Sequence, residues 1–83
     1  LAPIEDAYAA LIARDPEKAQ PYLDRATFRS GILDWAGALE DIDAAIAIEP
    51  SVNALFSRAN LLDRLGRQDE ALEQAAARIL PGQ

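Results

Sequence analysis

The chain has no cysteine, no histidine and no methionine. Without cysteine, neither a disulfide framework nor a thiolate metal site is open to it. Without histidine, it lacks the commonest general base and the commonest transition-metal ligand. Long apolar runs are missing too. None approaches the roughly 20 residues of a membrane-spanning helix, and no basic segment leads into an apolar core of the signal type. Positive charge is scarce, with 8 basic residues against 14 acidic ones and a net charge of −6. Such a surface repels phosphate backbones and anionic bilayers, so neither nucleic acid binding nor membrane insertion is expected. The lack of cysteine fits cytoplasm and periplasm equally, which leaves localisation open. The chain begins at Leu1, so it reads as a processed protein or a piece of a longer one.

What remains is rich in alanine and leucine, both strong helix formers. The 83 residues suffice for one domain, here 1–83, with a modest core. Ile4, Tyr8, Leu11 and Ile12 recur at the spacing of one helix face. Asp15, Pro16 and Glu17 then mark a stop and a fresh start, predicting a second helix to about Ser30. Asp34 can cap a third helix carrying Trp35, Ala38, Leu39, Ile42, Ala45 and Ile46. Ser51 can cap a fourth, carrying Leu55, Phe56, Ala59, Leu62 and Leu65. Gly66 reads as its stop. A fifth, with Ala71, Leu72, Ala75 and Ile79, ends before Pro81-Gly82. Loops this short force antiparallel neighbours.

The chain also repeats itself. A slide of 33 residues brings Arg25-Ala26 onto Arg58-Ala59, and Ala38-Leu39-Glu40 onto Ala71-Leu72-Glu73. Ala44 meets Ala77, Ile46 meets Ile79, and apolar character is kept at Tyr22/Leu55, Leu23/Phe56 and Ile42/Ala75. A period in the low thirties with two helices per period predicts stacked helical hairpins.

These residues resemble the tetratricopeptide repeat (TPR) family. Ala26 and Ala38, and again Ala59 and Ala71, have the spacing of its two small crossing residues. Ile42, Ala45, Pro50 and Tyr22 fit its large, small and terminal positions. Leu33 stands where the family usually has glycine, Arg29 where an aromatic is common, and Ala75 and Arg78 match weakly. The resemblance covers 1–15 as the second helix of a partial repeat, 17–50 as a full repeat and 51–80 as a second, degenerate one. It implies an all-α fold: five helices in antiparallel hairpins, stacked as a short right-handed superhelix.

Candidate chemistry is sparse. Without histidine or cysteine no nucleophile–base pair is available, and Lys18 sits in an exposed turn. Glu40, Asp41 and Asp43 point to different sides of a helix. No calcium-type loop and no glycine-rich phosphate loop occurs. The expectation is a protein that is not an enzyme and uses neither a metal nor a cofactor. Trp35 reads as a cover for the hairpin turn. Arg25 and Arg58, one period apart, read as packing residues with acidic neighbours such as Asp41 or Glu73.

The functional surface is then geometric. Stacked hairpins curve, and the first helix of each lines the concave side. There the helical period places Gln20, Leu23, Asp24, Thr27 and Ser30, and then Asn53, Phe56, Asn60, Asp63 and Arg64. The resemblance implies that such a groove holds an extended peptide or a partner helix. Asn60 would hold a peptide amide, with Phe56 or Leu23 in apolar contact. Only Asn60 and Arg64 would serve a carboxylate clamp. The end of the array offers a second surface. Ala75, Ala76, Ile79 and Leu80 are more apolar than one buried face needs, which suggests association with another copy or with further repeats of a parent chain. Two functions stand: a protein-binding scaffold or adaptor acting through the groove, and a structural or self-association segment acting through its ends.

Overall fold

The computed structural model describes residues 2–79, and the side chains of residues 3–70, 72 and 73. These residues form four α-helices: α1 (Ala2–Arg14), α2 (Gln20–Gly31), α3 (Trp35–Ile48) and α4 (Val52–Ile79). No strand occurs among them. Each helix packs on the next in sequence. The molecule is elongated, 54 × 30 × 15 Å. Its length follows from α4, whose 28 residues reach about 42 Å at the α-helical rise.

Local chemistry sets most of the ends. The second helix starts at Gln20 rather than beside Pro16, with a proline in its opening two positions. A start near Pro16 would bury Pro21 in a helix interior, where it lacks a donor and clashes with the preceding turn. Residues 15–18 form a turn instead, in which the Lys18 backbone N–H donates to the Asp15 carbonyl at 3.2 Å. Asp34 caps α3 by accepting from the Gly37 N–H at 3.0 Å, and the Ser51 hydroxyl caps α4 by accepting from the Ala54 N–H at 3.1 Å.

Two turns came out opposite to what their residues suggest. The α2–α3 turn closes on Leu33, whose φ is 65°. The Leu33 N–H donates to the Ser30 carbonyl at 3.0 Å and the Asp34 N–H to the Arg29 carbonyl at 2.8 Å. This is the Schellman pattern, with a leucine in the left-handed position that glycine usually fills. At Gly66 the chain does not turn. Residue 66 lies inside α4, and its φ is not left-handed. The expected fourth and fifth helices are therefore one, and the described residues form four helices rather than five. An interior glycine costs about 1 kcal/mol relative to alanine, too little to break a helix with a full run of helix formers on either side. The Asp63–Arg67 ion pair, 3.1 Å at (i, i+4), spans it.

The core lies where α2, α3 and α4 meet. Ala26, Ala38, Ile42 and Leu61 are buried together, with Leu23, Trp35, Leu39 and Ile46 packed against them. Ala38 and Ala45 are fully covered, so small side chains let α2 and α3 approach closely. The face expected of α1 is only half covered. Tyr8 and Ile12 are half-buried, with the Tyr8 ring 6.1 Å from that of Phe28. Ile4 and Leu11 stay 46 % exposed, because α1 has a neighbour on one side only.

Candidate functional site

An ionic cluster fixes the frame of the site. Asp41 on α3 is 2 % exposed, the one buried charge among the described residues. The Arg25 guanidinium donates to it twice, through Nη2 at 2.7 Å and Nε at 3.0 Å. Arg29 Nη1 lies 3.3 Å from the same carboxylate and donates to the Gly37 carbonyl at 3.3 Å. A buried carboxylate needs partners of this kind to stay charged. The hydrogen bond to Asp41 in turn raises the Arg25 pKa above its ordinary value, so Arg25 is charged wherever the protein is folded. Arg29 Nε is buried without a hydrogen-bond partner, 3.8 Å from Glu5 on α1. Arg29, standing where an aromatic was expected, thus ties α1, α2 and α3 together.

Arg58 pairs with Asp43, Nε to Oδ1 at 2.7 Å, and not with Glu73. The straight course of α4 carries Glu73 away from Arg58. Of the three neighbouring carboxylates, Asp41 is buried while Glu40 and Asp43 are exposed. No group of three or more acidic residues among those described could hold a metal ion. Nor is any described helix long and apolar enough to cross a membrane.

Beside this frame, between α2 and α4, lies an open cleft of about 370 Å³. Its walls are Ala26, Thr27, Ser30 and Gly31 from α2, Trp35 and Ile42 from α3, and Ser57, Asn60, Leu61 and Arg64 from α4. Four of the expected groove residues, Thr27, Ser30, Asn60 and Arg64, therefore share one wall system. Arg64 stacks over the Trp35 ring, 4.9 Å from its centroid, and its Nε donates to the Asn60 Oδ1 at 3.3 Å. It makes no salt bridge among the described residues. A guanidinium on an aromatic face keeps its hydrogen-bonding edge free. The cleft thus offers one cation, three hydroxyls, an amide and an apolar floor.

The other expected groove residues lie elsewhere. Leu23 packs into the core and its carbonyl accepts from the Thr27 hydroxyl at 3.1 Å. Gln20 donates to Asp24 at 2.8 Å, beside Leu11, Arg14 and Lys18. Asn53 and Asp63 are exposed, and Phe56 is 71 % exposed; none of the three lines the cleft. Leu80 lies outside the described residues, as do the side chains of Ala75, Ala76 and Ile79. Ser57 and Trp35 are cleft residues that sequence reading missed. The signal for Ser57 was its spacing to Asn60 and Arg64, three and seven residues on, which puts all three on one helix face.

Comparison of the chain with protein-family models, with curated proteins and with solved structures finds no match.

Proposed function

We propose that the chain is a non-catalytic protein–protein interaction module of the TPR type. In this reading the cleft between α2 and α4 holds an extended peptide or a partner helix. One observation carries it: positions 33 residues apart in the sequence, the period of the repeat, line the same cleft. Thr27 and Asn60 are one period apart, as are Gly31 and Arg64, and all four line it. Repeat proteins recognise partners through such serially presented positions. The residues suit a peptide backbone, which needs neutral donors and acceptors, with one acidic group set against Arg64.

The test is selection from a displayed random-peptide library, followed by titration of the enriched peptides. Enriched peptides should carry an acidic residue and bind at least about tenfold more weakly to Arg64→Ala, the loss of one charge-assisted hydrogen bond. No enrichment, or binding indifferent to Arg64→Ala and Asn60→Ala together, would refute the reading. The second function, self-association, draws on a different observation: an apolar face of α4, with Leu55 and Leu62, that stays exposed among the described residues.

A further inference from the structure

Leu55, Ala59 and Leu62 lie one turn apart on α4. Leu55 is 53 % and Leu62 44 % exposed, and Ala59 is exposed as well. At 3.6 residues per turn this stripe lies opposite Ser57, Asn60 and Arg64, so it is not part of the cleft. In the preceding repeat the same stripe is Tyr22, Ala26 and Arg29, where Ala26 packs with Ala38 and Ile42 of α3 and Arg29 reaches Asp41 and the Gly37 carbonyl on that helix. The repeat therefore says what kind of helix fits on Leu55–Leu62: one built like α3.

Helix α1 is built that way. A slide of 35 residues sets Ile4-Glu5-Asp6 on Leu39-Glu40-Asp41, and Ala9-Ala10-Leu11 on Ala44-Ala45-Ile46. The side of α3 that covers α2 is Ala38, Asp41, Ile42 and Ala45, all buried. Its counterpart on α1 is Pro3, Asp6, Ala7 and Ala10, all exposed. So, among the described residues, this side of α1 and the Leu55–Leu62 stripe of α4 are both left exposed, one a second-type face and the other a first-type face. Charge makes the match specific. Asp6 corresponds to Asp41 and Arg58 to Arg25, the pair that joins α2 to α3 at 2.7 Å. Asp6 makes no ion pair among the described residues. Arg58 spends its Nε on Asp43, which leaves the two terminal nitrogens of its fork for a second carboxylate. In the chain's own sequence the residue 33 positions after Asp41 is Gln74, which carries no charge to offer Arg58.

We propose that α1 of a second copy packs on the Leu55–Ala59–Leu62 face of α4, with its Asp6 on Arg58. Ala7 and Ala10 then meet Ala59 and Leu55 as Ile42 and Ala45 meet α2. Gly66 continues the stripe, and no atom lies within 4 Å of where its Cβ would stand, so the start of the incoming α1 passes close to the backbone. The two surfaces differ and both belong to every chain. The contact is head-to-tail, and it builds rows or rings rather than a closed two-fold dimer. Because it uses the far side of α4, it stands or falls apart from the peptide cleft.

Sedimentation velocity from about 10 μM to about 1 mM, a range suited to one helix-on-helix contact, tests it. The wild-type chain should gain mass with concentration beyond a dimer. Asp6→Arg alone and Arg58→Glu alone should each weaken association at least about tenfold, since like charges then face each other. An equimolar mixture of the two variants should recover it, because each supplies the other's missing charge. Circular dichroism matching the wild type excludes unfolding as the cause. Asn60→Ala with Arg64→Ala should leave association unchanged while removing peptide binding. A wild-type chain that stays monomeric, single variants that associate as before, or a mixture that does not recover would overturn the proposal. So would an intrachain disulfide in a monomeric Ala59→Cys/Ala71→Cys variant. That bond would show the chain's own last helix folding onto the face, which a straight α4 forbids by holding these positions about 18 Å apart.

Discussion

Gly66→Ala separates a continuous α4 from a helical hairpin by the sign of its effect. In the structure, residue 66 sits mid-helix with a φ outside the left-handed range, and an added Cβ would meet no atom within 4 Å. Alanine then costs nothing in packing and gains the helix propensity that glycine lacks, about 1 kcal/mol. For a domain of this size that raises the melting temperature by roughly 4–8 °C. If residue 66 instead closed a hairpin in the left-handed region, alanine would lose about 1–2 kcal/mol, and the melting temperature would fall by a similar or larger amount. Thermal unfolding followed by far-ultraviolet circular dichroism reads the difference directly. Gly37→Ala is the control in the other direction. Its Cβ would stand 2.8 Å from the Asp34 Cγ and displace the α3 cap, with an expected loss of about 1 kcal/mol. A lower melting temperature for Gly66→Ala would refute the continuous helix and, with it, the bare face on α4.

Leu33→Gly should stabilise the fold by about 0.5–1 kcal/mol, because the strain of an exposed leucine at φ 65° outweighs the extra freedom of an unfolded glycine; urea unfolding would show an unchanged or lower midpoint if the turn were not left-handed. Asp41→Asn should cost about 3 kcal/mol by leaving Arg25 and Arg29 facing a neutral group in a buried site, and denaturation showing less than about 1 kcal/mol would mean the cluster is open to water. Trp35 is the only tryptophan and carries the Arg64 guanidinium 4.9 Å from its ring centroid. Its emission should therefore change in Arg64→Ala and on filling of the cleft, and an unchanged spectrum in Arg64→Ala would show that the two groups do not stack in solution.

Much of the fold is legible in the residues. The caps at Asp34 and Ser51 follow from side chains whose oxygens reach the first free N–H groups of a helix. The close α2–α3 contact follows from Ala26 and Ala38, since only small residues allow it. The start of α2 is ambiguous in the residues because Pro16 and Pro21 both offer an opening position, and only the later one leaves no proline inside the helix. Part of the cleft could be read from helical spacing, which brought Thr27, Ser30, Asn60 and Arg64 to one side. Phe56 could not, since apolar character does not say whether a neighbour arrives to cover it.

The amino-acid sequence by itself determined an all-helical chain, its periodicity and most helix boundaries, because propensity, capping and 3.6-residue spacing act over a few residues. It also set a residue inventory without histidine or cysteine chemistry. The tertiary structure alone decided that the chain turns at a leucine and runs straight through a glycine. Each of those choices hangs on about 1 kcal/mol of local preference. Packing can override it: α3 docking on α2 buries Ala38, Asp41, Ile42 and Ala45 and holds Leu33 in place, while nothing among the described residues draws α4 into a bend at Gly66.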